Sequence, residues 1–298
     1  MDLLKQIFLS PDEPRLRAGW RVGVQLALWF AFSLVLAIPA FFVLALVPNS
    51  FAAVNVVLNG VPLVLSVWLA RRFIDRRPFR SLGLALNRLA WQDTLVGVAI
   101  AGVQMLAIYL LELQAGWLRF EGFGWEQIGW PSLIMGLAGW GVLFLAVGFY
   151  EELFSRGYQL QNLEEGSSLF WAVVISSGFF GVIHLMNPNA TWVSALGVGL
   201  AGVFFAFSYL RTRQLWLPIG IHIGWNFFEG PVFGFPVSGM ETVNLLEHKV
   251  SGPELWTGGG FGPEAGLVVI PGLLVGLVLV YGYTRKRLST KEVVINDE

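Results

Sequence analysis

Tyr150-Glu151-Glu152-Leu153-Phe154-Ser155-Arg156 sets two adjacent carboxylates and a guanidinium into an apolar run that extends from Trp130 to Leu163. Ionisable groups at membrane depth are expensive to bury, and by default they mark a functional site. The chain has three histidines, and two of them stand in the next apolar stretches, as Phe180-x-x-x-His184 and His222-x-x-x-Asn226. Carboxylate and imidazole groups are what an enzyme needs to activate a water.

Helical geometry divides the labour. At 3.6 residues per turn Glu152 and Arg156 share a face and can form an ion pair that lowers the cost of burying both. Glu151 is rotated by about 100° from Glu152 and points to a different neighbour. A carboxylate without its own cation in a poorly hydrated place suits a general base, so Glu151 is assigned to chemistry and Glu152 with Arg156 to scaffold. His222 and Asn226 share a face, while Gly220 and Gly224 lie about 200° away and form a small-x-x-x-small surface for close helix packing. Two histidines and a glutamate could also hold Zn²⁺ as a three-ligand catalytic site. A glutamate-activated water with no metal or other cofactor is the simpler reading. The sequence contains no His-Glu-x-x-His, no Gly-x-Ser-x-Gly, no P-loop and no dinucleotide fingerprint.

The elements that must position these groups are membrane helices. Apolar residues make up 55% and charged residues 13% of the 298, against about 45–50% and about 25% in an ordinary soluble domain. The mean hydropathy is +0.66. A net charge of −1 excludes a basic nucleic-acid footprint, and the absence of cysteine removes disulfides and thiolate ligands. A span needs about 20 mostly apolar residues. That criterion places helices near 22–47, 51–70, 94–111, 132–163, 168–186, 190–210, 214–229 and 266–284, an all-α polytopic bundle of about eight transmembrane helices forming a single integral domain over 1–298. With eight spans alternating, Lys5, Arg15 to Arg21, Arg71 to Arg88, Arg211, Arg213 and Arg285 to Lys291 gather on one face, leaving Arg119 and Lys249 on the other. By the positive-inside rule both termini are then cytoplasmic. Between spans, Gln114 to Pro131 reads as an aromatic interfacial segment on the outer side, and Glu229 to Glu264 as a long Gly- and Pro-rich loop without helical period.

The ordered trio Glu151-Glu152-x-x-x-Arg156, Phe180-x-x-x-His184 and His222-x-x-x-Asn226, on successive apolar segments, resembles the CAAX-prenyl-protease and Abi (CPBP) family of intramembrane proteases. The resemblance is best over a core of residues 90–230. It implies hydrolysis of a peptide bond in a membrane-associated protein, prenylated in the eukaryotic relatives, inside or at the edge of the bilayer. Glu151 and His184 would then hold and deprotonate a water, and His222 and Asn226 would donate hydrogen bonds to the oxyanion. Glu152, Arg156 and Phe180 would support the site structurally. The family likeness also favours a cavity open toward the cytoplasm and, in a prokaryote, a plasma-membrane location. Two other classes use similar residues: an ion-coupled transporter, although no internal repeat is seen, and a non-catalytic scaffold or bacteriocin-immunity protein.

One geometric condition follows from these boundaries. Glu151 stands about 18 Å from Leu163 along its helix, whereas His184 stands nearly a membrane thickness from the start of its own. The two can meet only if helices tilt or extend beyond the bilayer.

Overall fold

A computed structural model describes residues 7–10, 13, 15–46 and 54–295, the side chains of 44, 45 and 286–295 excepted. Lys5, residue 47 of the first expected span and residues 51–53 of the second lie outside the described residues, as do the side chains of Lys286, Arg287 and Lys291. The chain order is α1 (Ala18–Leu46), α2 (Val56–Ile74), α3 (Arg88–Gln114), β1 (Leu118–Phe123), α4 (Gly124–Gly166), α5 (Leu169–Met186), α6 (Trp192–Thr212), α7 (Trp216–Phe227), β2 (Leu246–Val250) and α8 (Val269–Ile295). The first six helices are long and apolar enough to cross a membrane. The other two are shorter as apolar elements: α7 has 12 residues before a π-turn carries it to Val232, and the apolar part of α8 runs from Val269 to Arg285. The molecule is an all-α bundle and a multi-pass integral membrane protein.

Three of the helices start where the sequence offers a side-chain cap. Asn87 Oδ1 accepts from Ala90 N at the head of α3 and Ser168 Oγ from Trp171 N at the head of α5. Thr191 and Ser194 bond each other's backbone amides at the head of α6, satisfying donors that a helix otherwise leaves bare. Helix α4 bends at Gly129, whose φ of +74° a glycine adopts freely, just before Pro131, which has no amide to donate. Close helix contact comes from glycine. A Cβ on Gly220 would lie 2.2 Å from Thr94 O and one on Gly224 2.8 Å from Val98 Cα, so the small-residue face of α7 packs against α3.

Two features went unforeseen. The segments before α4 and after α7 pair as an antiparallel ribbon, with Leu118 opposite Val250 and a bulge between Phe120 and Gly122. Beside it Phe123, Trp125 and Trp130 stack in a ladder, with centroids 4.0 and 4.6 Å apart, the kind of aromatic belt that sits at a bilayer surface. The long loop has more structure than its composition suggested: strand β2, a helical turn at Glu254–Thr257 and 3₁₀ turns at Gly259–Phe261 and Pro263–Ala265. Its glycines explain why no period is visible, since Gly258, Gly259 and Gly262 all take positive φ.

On the opposite face the basic residues gather as expected. Glu165, at the end of α4, pairs with Arg15, Arg21 and Arg77, and Glu164 takes both terminal nitrogens of Arg213. Just inside, Asp75 accepts from Arg71 at 2.8 Å and from Tyr158 at 3.2 Å, with Arg21 at 3.6 Å. A buried amide chain, Gln159 to Gln25 to Ser66, then ties α4 to α1 and α2.

Candidate active site

Glu151 and His184 meet because both lie fifteen residues from one turn. Glu151 precedes Gly166, the end of α4, by fifteen, and His184 follows Leu169, the start of α5, by fifteen. At 1.5 Å per residue each stands about 22 Å from the connection. The mismatch expected from the sequence disappears because α4 continues three residues past Leu163. Helix α4 is 43 residues long, roughly 65 Å, and so extends well beyond a hydrocarbon core of about 30 Å.

The geometry at that height is specific. Glu151 Oε2 lies 3.8 Å from His184 Nε2 and 3.8 Å from His222 Nε2, and it has no hydrogen-bond partner among the described residues. Each histidine is oriented through its other nitrogen. His184 Nδ1 is 2.7 Å from Phe180 O and His222 Nδ1 is 2.9 Å from Glu152 Oε1. An acceptor at Nδ1 places a proton there and turns both Nε2 atoms toward Glu151. His184 is held where α5 tightens into a 3₁₀ turn. One turn earlier Gly181 permits α5 to touch α6, since a Cβ there would lie 2.1 Å from Ala195 O. The His222 ring stacks on Phe205 at 5.0 Å and meets Phe180 edge-on.

Glu152 and Arg156 form the expected pair at 2.9 Å, both fully buried, where α4 passes into a π-helical stretch from Leu153 to Gln159. The guanidinium also donates to Gly202 O at 3.0 Å and lies over the rings of Phe180 and Phe205, at 4.4 and 4.9 Å. Phe180 is therefore one wall of the guanidinium pocket as well as the carbonyl partner of His184. A single ion pair thus fixes Glu152, which in turn fixes the tautomer of His222.

Asn226, one turn after His222 and buried, lines the same cavity of about 60 Å³ as Glu151, His184 and His222. All seven residues singled out in the sequence come together here. Among the other lining residues are Trp225 on α7, and Ser238 and Glu264 from the long loop. Nothing in their spacing announces them, because they join the site through folding of an irregular segment. Trp225 could have been noticed as a large aromatic between His222 and Asn226. Among the described residues no group of three or more His, Cys, Asp or Glu side chains is arranged to hold a metal ion.

Comparison with known proteins agrees with this assembly. Residues 132–228, from α4 to the end of α7, match the family described as type II CAAX prenyl endopeptidase Rce1-like. Two proteins of Bacillus subtilis (strain 168) are similar: the uncharacterized YyaK, 28% identical over 170 residues (54% of each chain), and the candidate membrane peptidase YdiL, 32% identical over 111 residues (37% of this chain and 41% of YdiL). The chain spans about half the length of these relatives or less. No solved structure matches. The matched stretch contains every one of Glu151, Glu152, Arg156, Phe180, His184, His222 and Asn226, so over about a third of its length, and with all of these residues, the chain is similar to the Rce1-like type II CAAX prenyl endopeptidase family.

Proposed function

We propose that the protein is an intramembrane endopeptidase that hydrolyses a peptide bond in a membrane-associated protein. The observation that carries this reading is the convergence of the Glu151 carboxylate on two histidine Nε2 atoms, each 3.8 Å away, a spacing too long for direct hydrogen bonds but suited to a bridging water. Glu151, assisted by His184, takes a proton from that water, and the hydroxide adds to the scissile carbonyl. The oxyanion that forms is met by the Asn226 amide and by His222 once its Nε2 carries a proton, which Glu152 at Nδ1 would stabilise. Glu152, Arg156 and Phe180 hold these groups without touching the reacting atoms.

The basic cluster at the α4–α5 turn supports an orientation with both termini cytoplasmic, and a plasma-membrane location fits a prokaryotic chain. Lipid bilayer is the constant partner. The test is cleavage of a quenched fluorogenic lipidated peptide by purified protein in detergent, beside Glu151→Ala and His184→Ala, with and without a chelator. Cleavage lost in both well-folded variants and unaffected by chelator is expected. Activity at the wild-type level in either variant would refute the assignment, and chelator sensitivity would transfer Glu151, His184 and His222 to the role of metal ligands.

A further inference from the structure

The site contains more carboxylate than the proposed mechanism uses. Glu264 lines the cavity from a 3₁₀ turn after the long loop, far in sequence from the matched stretch. Its oxygens accept from Trp225 Nε1 at 3.1 Å and from Ser238 Oγ at 2.5 Å, and its charge is felt by both His184 and His222. Behind it stands Glu229, on the π-turn that ends α7, fully buried and reached by the same Trp225 side chain that donates to Glu264. The two carboxyls act on each other electrostatically.

Glycines bring them into this position. Gly262, at φ +109°, passes so close to Pro236 O that a Cβ would lie 2.1 Å from it and 3.4 Å from Glu229 Oε1. Gly197 on α6 leaves room for Glu264 O, which a Cβ would meet at 1.8 Å. The backbone is shaped to deliver Glu264 to the cavity wall. Among the described residues no Lys or Arg lines that cavity. The groups facing Glu264 are Glu229 from α7, His184 from α5, His222 and Trp225 from α7, and Ser238 from the loop, with Glu151 from α4 on the cavity they share. Burial raises the Glu264 carboxyl above the usual carboxylate range. Two buried carboxyls beside one indole cannot both ionise cheaply.

We propose that Glu229 and Glu264 form a proton-sharing carboxyl pair in the wall of the site, which holds one proton and gives it to the nitrogen that leaves the cleaved bond. The delivery step rests on the endopeptidase reading; the sharing of the proton does not. In the balanced step, water oxygen bonds to the carbonyl carbon and the water's proton goes to Glu151. The C–N bond then breaks with its electron pair on nitrogen, and the pair's proton completes the amine. The proton on Glu151 returns to the pair through the histidines, so the sum consumes one water and yields a carboxylic acid and an amine.

The first test needs no substrate. Infrared difference spectra of the full chain in nanodiscs at neutral pH, wild type against Glu229→Gln/Glu264→Gln, are expected to show one protonated carboxyl band, shifted or removed in each single variant as well. A difference spectrum without such a band would overturn the pair. In the peptide assay Glu264→Gln, which keeps a carbonyl for Trp225, is expected to lower kcat about 10²-fold with KM retained, and wild-type kcat would overturn the delivery step. If Glu264→Gln fails to fold, Glu229→Gln takes its place in both measurements. Absence of cleavage by the wild type would sink the endopeptidase reading, and the infrared result would still decide the pair.

Discussion

Replacing Arg156 with Met should cost more than any other single change in the bundle, because it leaves a buried carboxylate uncompensated while nearly conserving volume. Arg156 is 1% exposed and Glu152 is completely buried. Its contacts are the Glu152 ion pair, the Gly202 carbonyl and two aromatic faces. Removing one partner of a buried pair costs about 3–5 kcal/mol, whereas a hydrogen bond between membrane helices averages only about 0.6 kcal/mol. The charge therefore dominates and the Gly202 bond is secondary. Arg156→Met is expected to destabilise by about 3–5 kcal/mol. Adding Glu152→Gln should restore most of the loss, since the amide carbonyl still accepts from His222 Nδ1 and no charge stays buried. Equilibrium unfolding in mixed detergent–SDS micelles of wild type, both single variants and the double variant would measure the coupling as a double-mutant cycle. A loss below about 1 kcal/mol for Arg156→Met, or a double variant no more stable than Arg156→Met, would refute the claim that this ion pair holds the site together.

Asn226→Ala should lower kcat about 10²–10³-fold, with little change in stability, if the amide meets the oxyanion; initial-rate kinetics with the lipidated peptide would check it. Gly181→Ala should cost about 1–3 kcal/mol and shift His184, because its Cβ would lie 2.1 Å from Ala195 O, whereas Gly178→Ala on the same helix meets nothing within 4 Å and should be silent in the same unfolding assay. The strand residue His248, packed against Tyr109 and Phe235, has its proton affinity lowered chiefly by burial. The unfolded segment therefore binds the proton first: the contribution of neutral His248 is present above a pH of about 6.5 and is lost as pH falls through that value. Hydrogen exchange at residues 246–250 should accelerate below that pH in the wild type and lose this dependence in His248→Phe.

The helices were legible because bilayer thickness dictates their length, and the site was legible because polar groups in such helices stand out one by one. Glu151, Glu152 and Arg156 could even be assigned to faces, since 3.6 residues per turn gives their angles and Arg156 does pair with Glu152. The link from Glu152 to His222 was not legible. It joins residues 70 apart, and helical spacing says nothing about which neighbouring helix a side chain will reach. The ribbon of β1 and β2 escaped for a related reason, because its two strands are short, separated by four helices, and paired through backbone groups that every residue carries. Glu264 was hidden by composition. In a loop dense with Gly and Pro an acidic residue reads as solvated, and only the positive-φ turns around it bend the chain back into the bundle.

How each buried carboxylate is compensated separates scaffold from site. Asp75 has two arginines and a tyrosine, Glu152 has Arg156 and His222, and Asp93 takes the Tyr283 hydroxyl at 2.7 Å. Asp75 and Glu152 are paired with cations, and all three carboxylates tie helices together. Glu151, Glu229 and Glu264 have no arginine or lysine paired with them among the described residues, and Glu151 and Glu264 open onto one cavity while Glu229 stands behind it. Glu112 on α3 also lacks a partner among the described residues but lies outside that cavity, and no contact explains its burial. Leaving a carboxylate without a cation sacrifices stability unless the group does work, and here buried Glu229 and Glu264 and partly exposed Glu151 stand near two histidines, one of which a fourth carboxylate, Glu152, helps to aim. The endopeptidase reading proposed above gives that arrangement work to do, since such an enzyme must take one proton from water and return one to an amine within a single cavity, here of about 60 Å³.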